Sequence, residues 1–219
     1  MRDWLDRALA PGNSAARGLR GDGDLDRSDP VAVSALAGKP LRPAAVLIPI
    51  IERSEPTVLL TKRHGGLRAH GGQVSFPGGR IDDTDAGPLA AALRETQEEV
   101  GIGPHYVDVR GHLDTYCTVT GFQISPFVGI VQDGFHLVRA EDEVDEIFEV
   151  PLAHLLDPRN HQRQSAEFRG RTRHFYVIPH EKHYIWGATA GMIVNLADLM
   201  RATADTKDPA AFLKRSLAG

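Results

Sequence analysis

Three glutamates lie within five positions of the chain, at Glu95, Glu98 and Glu99. Like charges at this spacing repel one another on a helix and destabilise it unless a positive group lies among them. Carboxylate oxygens are the ligands that hard cations such as Mg²⁺ prefer, and Mg²⁺ usually also contacts the phosphates of a substrate. The cluster therefore predicts a metal site that polarises a phosphoryl group and activates a water molecule.

Two further features surround the three acids. A glycine pair, Gly78 and Gly79, precedes them. Without a Cβ the backbone can approach a ligand closely, so Gly79 is expected to contribute a carbonyl ligand to the metal. Arg94 stands four residues before Glu98. It can orient the acids through charge-assisted hydrogen bonds, or it can pair with Asp85.

The pattern around the glutamates resembles the signature of the Nudix hydrolase family. Residues 94–102 match the second half of the Nudix box, G-x5-E-x7-R-E-U-x-E-E-x-G-U, with Thr96 where U is a bulky aliphatic residue. In the first half, Asp85 takes the acidic position and one extra residue precedes Arg94. No firm role is therefore carried onto Asp85.

A second motif points to one subfamily. Residues 59–79 are similar to L-L-T-x-R-x-x-x-L-R-x-H-x-G-Q-V-x-F-P-G-G, which precedes the box in Nudix enzymes that hydrolyse coenzyme A (CoA), with His64 where serine is more usual. The resemblance extends over about residues 43–200. It implies cleavage of the pyrophosphate bond of CoA and its thioesters to 3′,5′-ADP and (acyl-)4′-phosphopantetheine. ADP-ribose or another nucleoside diphosphate derivative is the alternative substrate.

The family resemblance also implies roles for the acids. The box glutamates would bind Mg²⁺ or Mn²⁺ and help to activate water, with Glu98 and Glu99 as the principal ligands and Glu95 as ligand or base. Arg94 would belong to the same catalytic group. Many relatives bring a further acid from a distant loop, and here the acidic loop 141–146 is the place to look. Within it, Glu143 is the first choice and Glu146 the second.

Substrate-binding residues are expected just before the box. CoA carries a 3′-phosphate as well as its pyrophosphate, so positive donors are needed. Arg63 or Arg68 is expected to contact substrate, while His70 either structures the loop or contacts a phosphate. Gln73 alternates with apolar neighbours and is expected to face the site. Aromatic residues leave alternatives open: Trp186 is a core residue or a wall of the site, and Tyr116 and Phe122 stack on adenine or line the pantetheine channel.

The elements that position these residues follow from hydrophobic patterning. The chain predicts mixed strands with three or four helices, hence an α+β fold, and the resemblance specifies a Nudix α/β/α sandwich with a mixed central sheet and flanking helices. The box helix is predicted over 88–100, with Leu89, Leu93, Thr96 and Val100 facing the core. The three glutamates would form one stripe roughly 140° away. Other predicted strands cover 43–51, 57–63, 73–77, 106–118, 121–131, 134–138, 147–150 and 171–179, and other helices cover 151–156, 187–202 and 209–217.

The N-terminal region is predicted to be separate from the Nudix domain. Residues 1–10 read as an amphipathic helix with Trp4 and Leu5 on one side, and 11–40 as an extended arm with one helical turn near 31–36. The predicted division is therefore 1–40 for helix and arm and 41–219 for the Nudix domain. The arm suggests a possible homodimer.

Composition sets further bounds. The 219 residues carry a net charge of −4, which gives no reason to expect a nucleic-acid partner. No apolar run is long enough to span a membrane and no signal peptide is recognised, so the cytoplasm is the expected location. The single cysteine, Cys117, excludes an internal disulfide and is expected to be a small core or near-site residue rather than a nucleophile. A Nudix-like module that only binds a nucleotide is disfavoured, because all three glutamates are present.

Overall fold

The computed structural model describes residues 1–10, 18–26, 40–66, 70–168 and 170–203. Arg68, the helical turn expected near 31–36 and the helix expected over 209–217 lie outside these residues. Within them, no helix is long and apolar enough to cross a membrane. Cys117 is fully buried, which confirms its expected place in the core.

The described residues form four α-helices and twelve strands. The helices are α1 (Arg2–Leu9), α2 (Pro88–Val100), α3 (Leu152–Leu156) and α4 (Gly187–Thr203). The strands are β1 (Leu19–Gly21), β2 (Arg42–Ile51), β3 (Thr57–Arg63), β4 (Val74–Ser75), β5 (Gly78–Arg80), β6 (Val107–His112), β7 (Thr115–Cys117), β8 (Phe122–Val131), β9 (Val144–Pro151), β10 (Gln162–Phe168), β11 (Arg171–His180) and β12 (His183–Trp186). Three short 3-10 turns lie at Asp24–Asp26, Pro104–Tyr106 and Pro158–Asn160.

The main sheet is mixed. In the described part of the chain its nine strands follow the order β1-β7-β8-β2-β3-β4, with β5, β6 and β9 pairing to β2, β8 and β3. β2 and β8 form its centre, since they pair in parallel from Arg42 with Phe122 to Ile51 with Val131. A second sheet contains the antiparallel strands β10-β11-β12.

Alternate residues of β2 enter different cores. Ile48 and Ile50 join the larger core together with side chains of α1, α3 and α4. Ala45, on the opposite face, packs against Ala91 and Ala92 of α2. Because successive side chains of a strand point to opposite faces, helices cover both sides of the sheet. The predicted α+β fold, an α/β/α sandwich with a mixed central sheet, is confirmed.

Helix α2 has the predicted bounds but a different buried face. It begins with Pro88 and ends at Gly101, whose φ of 80° is the left-handed conformation that favours glycine at a helix end. Leu89 and Leu93 are only half-buried, so the predicted core stripe is wrong at these two positions. Small side chains let the helix approach the sheet closely, and the buried residues of α2 are Ala91, Ala92, Thr96, Glu99 and Val100.

The strand predicted over 134–138 is wrong. Gly134 adopts a φ of 99° and lies in a turn together with Asp133. The backbone that follows bonds to the end of α2, because the Val138 N–H donates to the Val100 carbonyl at 3.0 Å and the Ala140 N–H to the Glu99 carbonyl at 3.1 Å. The segment therefore satisfies carbonyls of the last helical turn and joins no strand pair. Strands β1, β5, β10 and β12 lie outside the predicted strands.

The predicted N-terminal helix is present as α1, and it shares the main core. Trp4 and Leu5 are buried in the same cluster as Met200 of α4. The Trp4 Nε1–H donates to the Met200 carbonyl at 2.9 Å. Part of the expected arm also belongs to the main sheet, since β1 pairs in parallel with β7. The domain boundary at residue 40 stays a prediction.

The contact between α1 and α4 can be tested at Trp4. Replacing Trp4 with alanine should lower the free energy of unfolding by about 3–5 kcal/mol, because a large buried ring and its hydrogen bond are lost. Chemical denaturation measures this change. Arg7→Ala on the exposed face of α1 is the control. Equal stability of the two variants would mean that α1 contributes no packing energy.

Candidate active site

Strand β5 brings a glycine pair against α2. It pairs antiparallel to β2, with Gly79 opposite Ala45 and Gly78 opposite Val46. A Cβ on Gly78 would lie 2.4 Å from the Ala45 carbonyl oxygen, and one on Gly79 would lie 2.5 Å from the Glu95 carboxyl carbon. At Gly78 only glycine therefore allows the strand backbone to lie this close to β2, while a side chain at Gly79 would displace the Glu95 carboxylate.

Glu99 is the most deeply buried of the three glutamates, with 2% of its surface exposed. The Gly78 N–H donates to its Oε2 at 3.2 Å, and Arg63 Nη1 lies 3.5 Å from its Oε1. Burial raises the pKa of Glu99 to about 7. The charges of Glu95 and Glu143 act in the same direction, and Arg63 opposes them. Burial makes the ionised form of Glu99 unfavourable, and a nearby cation would reduce this penalty.

Glu95 and Glu143 complete a group of three neighbouring acids. Burial raises the pKa of Glu95, and the charge of Glu143 adds to this effect. Both side chains line the same cleft as Glu99. Glu146, the second choice from the acidic loop, accepts instead from Lys182 Nζ at 2.9 Å. The loop therefore offers Glu143 to the cleft, while Glu146 is engaged elsewhere.

Arg94 links the acids around it. Its Nε and Nη2 donate to the two oxygens of Asp85, both at 3.0 Å. Its Nη1 donates to Glu95 at 3.1 Å and to Glu98 at 2.8 Å. The hydrogen bond from Arg94 holds the pKa of the Asp85 carboxyl below its usual range. Arg94 thus does both things that the sequence left open, pairing with Asp85 and orienting the box acids.

The three glutamates do not share one stripe, so that prediction is wrong. The Glu98 side chain is 58% exposed and lies beside Arg94. Glu99 points inward, because its carboxylate accepts the Gly78 N–H. Glu95 lies between them, near Gly79 and within reach of Arg94.

The donor set fits a hard divalent cation. Among the described residues, no three His, Cys, Asp or Glu side chains already converge as a metal site. The candidate set is Glu95, Glu99 and Glu143, which line the same cleft, and the charge of Glu143 raises the pKa of both Glu95 and Glu99. Gly79 lies beside the Glu95 carboxylate. Oxygen donors with unbalanced negative charge are what Mg²⁺ and Mn²⁺ prefer. Glu98 would join this set after exchanging its bond to Arg94.

A cleft of about 890 Å³ opens beside these acids. Its size lies within the range of small-molecule sites. Neither Arg94 nor Glu98 is among its described lining residues. Of the residues predicted for the site, the cleft is lined by Arg63, His70, Gln73, Gly79, Glu95, Glu99 and Glu143.

The loop before β4 is organised by its own hydrogen bonds. His70 Nδ1 lies 2.8 Å from Gln73 Oε1, and His70 has a φ of 60°, which is uncommon for a residue other than glycine. The Arg63 N–H donates to the Gln73 carbonyl at 2.9 Å. His70 therefore structures the loop and also lines the cleft.

Sequence reasoning missed much of the opposite wall. This wall comes from the second sheet and from residue Asp22 of the N-terminal segment. Trp186 lies on it, 37% exposed, with its ring 5.4 Å from that of Phe175. Trp186 is thus a wall residue and no core residue. The alternation over 171–179 was a visible signal for a strand, but nothing in it indicated that Phe168, Arg173 and Phe175 would border the cleft.

Comparison with known proteins identifies the family. The NUDIX domain family matches residues 40–178. The chain belongs to the Nudix family. An uncharacterized Nudix hydrolase NudL from Cronobacter sakazakii is 48% identical over 156 residues, which cover 71% of this chain and 81% of that protein. A protein of the same name from Escherichia coli is 47% identical over 156 residues, with the same two shares. A crystal structure of an Ap4A hydrolase from C. elegans is 18% identical, covers 50% of this chain and 80% of its own, and has a TM-score of 0.44.

Family membership makes the protein a Nudix hydrolase. Such enzymes act on small-molecule substrates and generally use divalent metal ions. The residues that would hold the ion stay predictions.

Glu99 provides a test of metal binding. Glu99→Gln should weaken Mn²⁺ binding about tenfold or more, because a buried carboxylate donor is lost. The metal-free variant should melt no lower than the parent protein at pH 8, because the ionised Glu99 is disfavoured by burial. Calorimetric titration and melting curves with and without Mn²⁺ measure both quantities. Glu55→Gln at the exposed turn between β2 and β3 serves as control. Unchanged Mn²⁺ affinity in Glu99→Gln would exclude Glu99 as a ligand.

Proposed function

We propose that this Nudix hydrolase cleaves the pyrophosphate bond of coenzyme A and its thioesters, using Mg²⁺ or Mn²⁺. The products would be 3′,5′-ADP and 4′-phosphopantetheine or its acyl form. Water adds to one phosphorus, the bond from that phosphorus to the bridging oxygen breaks, and each product keeps one phosphate of the former pyrophosphate.

The observation that supports this proposal most directly is the position of Arg63 and of residues 70–79. They belong to the segment 59–79 that resembles the motif of CoA-hydrolysing Nudix enzymes, and several of them line the same cleft as Glu95 and Glu99. A substrate held by the segment would therefore place a phosphate next to the acids. Arg63 lies at this junction, 3.5 Å from Glu99, where its guanidinium can also donate to a phosphate oxygen.

The remaining wall of the cleft suits a long substrate with apolar and aromatic parts. Phe122, Phe168, Phe175 and Trp186 all line it. Aromatic rings provide flat surfaces on which adenine can stack, and they also pack against the methylene groups of a pantetheine chain.

The chain's own residues would prepare the pyrophosphate for attack. Arg94 holds Glu95 and Glu98 in place. Glu99 is buried and Glu143 is exposed, and both line the cleft, where their carboxylates can meet a cation. A bound Mg²⁺ or Mn²⁺ would supply Lewis-acid polarisation of the phosphoryl group and lower the pKa of an attacking water. Glu95, with its raised pKa, is suited to accept the proton of that water.

The substrate can be identified by a panel of nucleotides. Incubation of the protein with CoA and Mg²⁺ or Mn²⁺ should give 3′,5′-ADP and 4′-phosphopantetheine. Mass spectrometry identifies both products. We expect kcat/KM for CoA and acetyl-CoA to exceed the values for NADH and ADP-ribose. EDTA should stop the reaction. A higher kcat/KM for ADP-ribose would overturn the CoA assignment and favour a nucleoside diphosphate derivative.

Glu98 provides a separate test of catalysis. Glu98→Gln should lower kcat by about 100-fold or more, because a charged group at the transition state is lost. Its exposed position predicts a melting temperature within a few degrees of the parent protein. Glu55→Gln should retain full turnover. Near-normal kcat in Glu98→Gln would remove Glu98 from the catalytic group.

A further inference from the structure

Arg173 of β11 is a cation in the cleft wall that the residues around it leave poorly paired. Its side chain is only 12% exposed. Among the described residues, its Nε is buried and has no hydrogen-bond acceptor. Its ion pair, with Asp26, is long, at 3.7 Å from Nη1. Burying an N–H of a guanidinium without an acceptor is costly, and such groups are usually bonded in native structures.

The neighbouring acids are already engaged. The Oδ1 of Asp26 lies 2.6 Å from the ring Nδ1 of His174, within hydrogen-bond distance. Asp22 accepts from the Tyr116 hydroxyl at 2.9 Å and from the Val119 N–H at 2.8 Å, one bond on each oxygen. These acids hold the N-terminal segment against the wall, but they leave the Arg173 Nε without an acceptor. The exposed part of the Arg173 side chain lines the cleft, where an anion can pair with its guanidinium charge.

Arg173 lines the cleft next to residues that do not belong to the box. His174 and Phe175, its neighbours on β11, border both the cleft and an adjoining cavity of about 250 Å³. None of the described residues lining that cavity belongs to the box. The charge of Arg173 acts on Asp22, whereas Arg63 is the cation that acts on Glu99. Arg63 thus serves the end with the acids, and Arg173 is available for a different anionic group.

We propose that Arg173 is a specificity-determining residue that binds a phosphate on the adenosine ribose of the substrate, apart from the scissile pyrophosphate. This proposal rests on the proposed function, because CoA carries such a phosphate at the 3′ position. A guanidinium presents a planar pair of donors that matches two phosphate oxygens. Phe175 and Trp186 stand on the same wall and offer a surface for the attached adenine.

The test compares ligands that differ only in this phosphate. In the full-length protein, kcat/KM for CoA should exceed that for 3′-dephospho-CoA about 10- to 100-fold. Arg173→Met should lower kcat/KM for CoA to the level of dephospho-CoA and leave the value for dephospho-CoA within about twofold. Arg173→Lys keeps the charge and should restore part of the preference. Arg171→Met, an exposed arginine two residues earlier on β11, is the matched control and should behave like the parent protein.

Direct binding separates this inference from the proposed function. The parent protein should bind 3′,5′-ADP more tightly than 5′-AMP, and Arg173→Met should remove the difference. That binding result without any CoA hydrolysis would support Arg173 and overturn the proposed function. Hydrolysis of CoA and dephospho-CoA at equal kcat/KM, or an unchanged preference in a folded Arg173→Met, would overturn the role of Arg173 and leave the proposed function standing. If Arg173→Met does not fold, Arg173→Lys provides the test. A preference for CoA over dephospho-CoA equal to that of the parent protein would contradict a contact of two guanidinium donors with the phosphate.

Discussion

The close approach of the β5 backbone to the carboxylates of α2 is the constraint on which the site depends. Carboxylates are costly to bury unless donors meet them. Here the donor is the Gly78 N–H, and it reaches Glu99 because β5 pairs closely with β2 in the part of the sheet that α2 covers. The small side chains of Ala45, Ala91 and Ala92 make this spacing possible. The small size of these side chains therefore determines how closely the Gly78 N–H approaches the buried Glu99 carboxylate.

This spacing divides the acids into two groups with different environments. Glu99 and Glu95 lie where burial disfavours their charge, so both have raised pKa values. Glu98 stays near solvent and is paired with Arg94. One helical turn thus presents an inner group suited to a cation and an outer group near solvent, and Arg94 donates to Glu95 of the first and to Glu98 of the second. Asp85, whose family role the sequence left uncertain, belongs to the outer group.

The parts of the fold that could be predicted are those whose bounds depend on neighbouring residues in the sequence. The bounds of α2 follow from Pro88 and Gly101, and β2 and β3 follow from dense apolar runs with a turn between them. The direction of Glu99 was not predictable, because it depends on Gly78, which is distant in sequence. Helical periodicity alone placed Leu89 and Leu93 in the core, whereas packing against the sheet selected the alanines.

The cleft wall was the least predictable feature. Strand β11 was expected from its alternation, but its position depends on pairing with β10 and β12, which carry weak patterns of their own. The contact of Asp22 with Tyr116 joins segments that are far apart in the chain. Residues that approach through such contacts have no short-range signature, so Arg173 and Phe175 were found only in the structure.

The segment that follows β8 connects helix α2, which carries Glu99, to the loop that carries Glu143. Through Val138 and Ala140 it bonds to the carbonyls that end α2, and Glu143 follows three residues later. Backbone hydrogen bonds thus fix the segment before Glu143 to the helix that carries Glu99, and these bonds do not depend on the side chains of the segment. Length changes should be tolerated at the exposed turn before Phe135, whereas one residue added between Ala140 and Glu143 would shift an acid out of the cleft. The length of this stretch is thus fixed at one end by backbone bonds to α2 and at the other by an acid of the cleft.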